Sequence, residues 1–132
     1  MANRIAMVDY LILDQGDEHL VAKMCSSCGA LYFDRRNACG HCGKTEFTTK
    51  RLSTDGRVRA FTIVKRAAPG VPTPYVSAVI DLEGGGAVKA NLVNIDPDPD
   101  KIELGMPVRL TTFVAGRDDD GTEAIAFGFE RA

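Results

Sequence analysis

The chain has no tryptophan, only two histidines, and no cysteine outside one short stretch. Aromatic residues make up 7% of its 132 positions, which leaves few rings for the stacking platforms of single-strand nucleic-acid binders. No apolar run approaches the roughly 18 residues that a membrane-crossing helix needs. Met1 to Leu20 lacks a basic start followed by an apolar core, so no secretory signal is read and a cytoplasmic location is expected. Gly84-Gly85-Gly86 lacks the Gly-x-Gly-x-x-Gly spacing and the following helix of a nucleotide loop. The acidic stretches Asp96-Pro97-Asp98-Pro99-Asp100 and Asp118-Asp119-Asp120-Gly121 fail the calcium-loop spacing.

What is present is concentrated. Cys25-Ser26-Ser27-Cys28-Gly29 is followed by Cys39-Gly40-His41-Cys42-Gly43, and these two knuckles use all four cysteines. Two Cys-x-x-Cys pairs in a chain without a signal read as metal ligands rather than disulfides. Four soft thiolates favour a closed, tetrahedral, structural Zn²⁺ site, one ion per chain. Each glycine after a second cysteine can take a left-handed turn that aims amides at the sulfurs. His19 and His41 are surplus to that shell; His19 reads as a surface or packing residue and His41 as a solvent-facing one.

Charge is uneven. Between Lys23 and Arg66 stand ten lysines and arginines against three acidic residues, although the whole chain carries a net charge of −2. A basic segment of this kind suits an anionic ligand or an acidic partner, or is solvated surface.

The remaining pattern is strand-like. Met1–Leu20 is a lead-in whose Ile5, Met7, Val8 and Leu11 to Leu13 fit a short helix or a strand. His19 to Met24 runs as a strand into the first knuckle. Leu31-Tyr32-Phe33 suits the second strand of a ribbon hairpin and would cover the metal with apolar side chains. Arg35 and Arg36 occupy the turn before Cys39. Lys44 to Leu52 leads out, with Phe47 packing. From Ser53 onward the alternation of apolar and β-branched residues predicts strands at 57–65, 75–82, 87–93, 106–114 and 122–129, and no helix. Three prolines make 67–74 an irregular loop. Five short antiparallel strands fit a small closed barrel, an OB-fold or an SH3-like barrel. The expected organisation is all-β: a lead-in at 1–20, a rubredoxin-like zinc ribbon at 21–52, and a five-stranded OB-fold at 53–132.

The order and spacing of Cys25-x-x-Cys28-Gly29, Cys39-x-x-Cys42-Gly43, Gly56-Arg57-Val58, Phe61-Thr62-Ile63-Val64, Pro74-Tyr75-Val76, Ala90-Asn91-Leu92-Val93 and Leu104-Gly105-Met106-Pro107-Val108 resemble a known family. Its members are bacterial and archaeal proteins with a zinc ribbon followed by an OB-fold, associated with acyl-CoA enzymes. The stretch Phe33-Asp34-Arg35-Arg36-Asn37-Ala38-Cys39 is similar to that of small thiolase subunits within it. Many relatives have Pro-Pro-Arg where this chain has Asp34-Arg35-Arg36, and many have a longer N-terminal arm. The resemblance implies an accessory subunit that docks on a thiolase-fold catalytic chain, two copies of each, with acyl-CoA at or near the interface. Under that implication Arg35, Arg36, Arg57, Arg59, Phe61, Lys65 and Arg66 are candidate contacts for CoA or the partner. Arg57, Arg59 and Phe61 would then form one stripe along a strand face.

The chain is not expected to be catalytic alone. A thiolase nucleophile is a cysteine with a histidine base, and here every cysteine is committed to metal. Four cysteines also leave zinc no open position for hydrolysis. A nucleic-acid-binding ribbon and barrel is the alternative class, and the low aromatic content and pI near 5.6 count against it. A rubredoxin-like iron site for electron transfer is a third.

Overall fold

Strand pairing closes a ring in the second half of the chain. The computed structural model describes residues 3–132. Ten strands follow in order: β1 (Arg4–Ala6), β2 (Leu11–Ile12), β3 (His19–Cys25), β4 (Leu31–Tyr32), β5 (Phe47–Arg51), β6 (Asp55–Val64), β7 (Tyr75–Leu82), β8 (Ala87–Leu92), β9 (Pro107–Arg117) and β10 (Glu123–Arg131). The helical content of the described residues is one 3₁₀ turn, Pro99–Lys101, capped by the Asp98 side chain. Among the described residues, no helix is long and apolar enough to cross a membrane.

Strands β6 to β10 form the barrel. The order β10-β8-β7-β6-β9 is closed by the β9–β10 hairpin. Alternation sets the inner face: along β7, Val76, Ala78, Ile80 and Leu82 are buried while their neighbours are partly exposed. Phe129, Ile125, Val58 and Val108 complete the centre from the other strands. Pro107 opens β9, where a missing amide hydrogen costs the ladder least.

The ribbon is a smaller sheet. Strand β3 pairs antiparallel with β2, β4 and β5. The lead-out segment is therefore mostly strand β5, an element the polar run Thr48-Thr49-Lys50-Arg51 concealed. The undecided lead-in resolves into two strands; its first two residues lie outside the described ones. Strand β1 joins the barrel sheet by pairing parallel with β10. One hydrophobic core runs through both sheets, from Leu11, Leu20, Ala22 and Leu52 into the barrel.

Two registers differ from the simple alternation: in the β9–β10 hairpin Ala124 pairs with Gly116 and Ile125 with Val114, which leaves Ala115 as an extra residue, and a second shift lies in β6. Arg57 pairs with Asp81 and Val58 with Ile80, but Ala60 pairs with Val79, so Arg59 is an extra residue in a β-bulge. A bulge reverses which side chains face inward. Phe61, opposite the buried Ala78, therefore packs against the core instead of following Arg57 and Arg59 on the outside. The arginine–aromatic stripe does not form.

Candidate metal centre

Two knuckles of the same build meet at one point. In the first, the Gly29 amide donates to the Cys25 carbonyl at 3.0 Å; in the second, Gly43 donates to Cys39 at 2.9 Å. Both glycines have positive φ, 81° and 78°, the turn that glycine takes without a Cβ clash. The Cys25 amide returns to Ala30 and the Cys39 amide to Lys44, which closes each loop.

These turns place the four sulfurs within 4.8 Å of one another. Cys25 and Cys39, the first cysteine of each knuckle, are buried; Cys28 and Cys42 are exposed. The thiols differ in acidity. The Tyr32 hydroxyl and the Cys42 and His41 amides hold Cys39 down at about 5. At Cys28 the Ala30 amide pulls down, but desolvation and the neighbouring sulfurs prevail and push the thiol up to about 12. One thiolate forms readily and the next meet its charge, and a divalent cation relieves that conflict. Four thiolates with no fifth donor make a closed tetrahedral set for one Zn²⁺.

Tyr32 has a polar role at the metal centre that the sequence concealed. Its hydroxyl accepts from the Gly40 amide at 3.0 Å and lies 3.6 Å from the Cys39 sulfur, so its own proton is aimed at that ligand. Arg36 covers its ring, with the guanidinium carbon 4.4 Å from the centroid, and Phe47 meets it edge-on at 6.2 Å. Of the three residues expected to cover the metal, only Tyr32 does so. Leu31 lines a depression of about 400 Å³ between ribbon and barrel with Ala22, Leu52 and Gly86, and Phe33 packs on Tyr10 with the rings tilted and their centroids 4.5 Å apart. Alternation explains the split, because residues either side of Tyr32 point to the opposite face.

The candidate cations fall into separate places. Arg35 and Arg36 share a shallow basin with Lys23, Thr45 and Phe47 beside the metal centre. Arg57 donates to the Gly105 carbonyl at 3.0 Å, and Arg59 pairs with Asp81. Lys65 and Arg66 are exposed at the start of the proline-rich loop and form no ion pair among the described residues. His41 is exposed; His19 is buried, with Nδ1 2.8 Å from the Asp17 carbonyl.

Comparison with known proteins finds two matching domain profiles. Residues 14–48 match the profile of the ChsH2 rubredoxin-like zinc ribbon domain, and residues 49–113 that of the ChsH2 C-terminal OB-fold domain. A DUF35 domain-containing scaffold protein of Methanocaldococcus jannaschii is 32% identical over 114 residues, covering 84% of this chain and 79% of the relative. The chain belongs to the ChsH2-type DUF35 family. A benzoylsuccinyl-CoA thiolase subunit of Geobacter metallireducens is 29% identical over 118 residues, covering 89% of this chain and 78% of the relative. A chain of the solved Ltp2-ChsH2(DUF35) aldolase superposes with a TM-score of 0.66 at 32% identity, covering 86% of this chain and 84% of that one.

Proposed function

We propose that this DUF35 chain is a non-catalytic accessory subunit of a thiolase-type or acyl-CoA aldolase complex, docking on a thiolase-fold catalytic subunit and helping to shape its acyl-CoA site. The observation that carries the reading is the commitment of all four cysteines to one closed metal site. That leaves no thiol for an acyl-enzyme and no open position on the metal. The relatives named as a thiolase subunit and as part of an aldolase support a role inside an assembly.

In this reading the zinc ribbon (21–52) and the OB-fold (53–132) are separate presenting surfaces, and 1–20 ties them together. Arg35 and Arg36, beside Lys23, are the cations best placed to meet a CoA phosphate or a partner carboxylate. Arg57, Arg59, Lys65 and Arg66 have the same chemistry but stand apart. Phe61 contributes packing. Two copies of each chain and a cytoplasmic location belong to the same proposal.

Reconstitution tests it. The chain is mixed with its thiolase-fold partner, and the complex is sized and assayed for acyl-CoA cleavage or condensation. The expected result is a stoichiometric complex whose activity exceeds that of the partner alone. Full activity of the partner alone, with no complex, overturns the reading.

A further inference from the structure

The β9–β10 hairpin is longer than the barrel needs. Strand β6 pairs with β9 only at Pro107, Val108 and Arg109, and the Leu110 amide makes one last bond to Thr54 at 2.8 Å. From Thr111 to Arg117, β9 pairs with β10 alone, and its outer edge has no partner among the described residues. Because Leu110 donates outward, alternation points the amides of Thr112 and Val114 outward as well. An unpaired edge of this length is a ready template for another strand.

The surroundings of this edge state what it would accept. Phe113 and Val114 are 39% and 40% exposed, and across β10 Ile5 on β1 and Met7 just after it are 56% and 58% exposed. Ile5 pairs with Ala124 and Phe113 with Ala126, so both flank the same small-residue face of β10. The middle of the edge is therefore apolar. Both of its ends are acidic. A groove beside the first end is lined by Glu18, Asp55 and Asp17, together with Arg109 and Thr111. Asp17 there is paired with Arg51 and Arg109 with Glu130, which leaves Glu18 and Asp55. The hairpin tip at the second end carries Asp118, Asp119 and Asp120.

We propose that the free edge of β9, Thr111 to Arg117, takes an extended strand of the catalytic partner, with apolar residues in its middle and lysine or arginine at both ends. Strand addition of this kind takes affinity from main-chain hydrogen bonds and selectivity from the flanking side chains. A second copy of this chain is the wrong occupant on charge. Pairing β9 with itself antiparallel sets each acidic tip against Glu18 and Asp55 of the other copy, and pairing it parallel sets tip beside tip. Like charges directly opposite destabilise strand pairs. The proposal rests on the accessory-subunit reading for the identity of the partner, and names the surface used.

The test uses the full zinc-loaded chain and its thiolase-fold partner. Hydrogen exchange read by mass spectrometry should show the segment Thr111–Arg117 protected in the complex, with its outward amides, Thr112 and Val114, slowed about tenfold or more by the added-strand bonds. T112P removes an outward amide without touching the β10 ladder and should weaken binding about tenfold. Charge reversal by E18K and D119K together should weaken binding and flatten its dependence on salt. If the complex forms with no protection of this segment in the wild-type chain, the edge proposal fails while docking stands. If no complex forms, both fail. If the free chain dimerises and protects the same segment, the occupant is a second copy and the proposal is overturned. Exchange in the wild-type chain decides the matter even where T112P is too unstable to purify.

Discussion

At the scale of single residues, the metal centre is governed by atoms one step beyond the four sulfurs. Tyr32 donates toward Cys39 and fixes the Gly40 amide, so Tyr32→Phe removes one ligand hydrogen bond and orphans one donor. Partners of metal ligands are commonly worth about 10- to 100-fold in metal affinity, and a loss toward the low end of that range is expected. Zinc transfer to a chromogenic chelator measures it, and a release rate equal to wild type removes Tyr32 from this role. Acidity has a definite sign. Metal-free Cys28, pushed up to about 12, holds its proton at neutral pH, and zinc must displace it. Zinc is therefore held less well as pH falls. Cys39, held down at about 5, joins the competition only below that pH, where the slope of log Kd against pH should steepen by about one proton. A titration with competing chelator from pH 8 to about 4.5 reads both regimes. Gly56 is a different case, since its backbone is ordinary but its neighbours are not. A Cβ there would lie 2.7 Å from the Asp81 carbonyl and from Ile80 Cγ2. Gly56→Ala should cost about 1–3 kcal/mol by overpacking, read from urea unfolding.

At the scale of elements, the bulge in β6 separates what a side chain does from what its backbone does. Arg59 pairs with Asp81, and both side chains are about half exposed, at 59% and 47%. R59A should change stability by less than about 1 kcal/mol. Deleting Arg59 tests the bulge itself. Val58 and Ala60 already pair with the adjacent residues Ile80 and Val79, so removing the extra residue leaves a regular ladder with Phe61 and Ile63 still facing inward. The deletion variant should therefore keep a cooperative melt by circular dichroism. Loss of that melt would show that the strand needs the extra residue.

At the scale of the whole molecule, the ribbon and the barrel share a core. Leu11, Leu20 and Ala22 from the N-terminal strands and Leu52 at the junction are buried in the same cluster as Val58 and Ile80. Strand β1 adds to β10 as well. A truncated chain beginning at Ser53 exposes that cluster and should melt well below the full chain or aggregate, as size exclusion and calorimetry would show. Zinc removal reaches the same core from the other side. The ribbon's own sheet is small, so the metal substitutes for the apolar contacts it lacks, and a chelator should loosen β3 to β5 before the barrel. Exchange rates across 19–51 and 75–92 separate these two losses.

The metal ligands and the five barrel strands were legible in the sequence because each is written locally. Cysteine spacing and period-two alternation need no knowledge of distant neighbours. Strand β7 shows this best, since both its ends and its inward face follow from eight alternating residues. What the chain order could not convey depends on residues far apart in sequence. The bulge at Arg59 appears only against β7, and it moved Phe61 from the arginine face to the core. The role of Tyr32 needs the second knuckle folded back over the first hairpin. The polar strand β5 forms because β3 supplies its pairing, and the free edge of β9 exists because β6 ends its pairing at Arg109. Local patterns set which groups the chain carries. Long-range pairing, which fixes register and closes the ring, decided which of them meet.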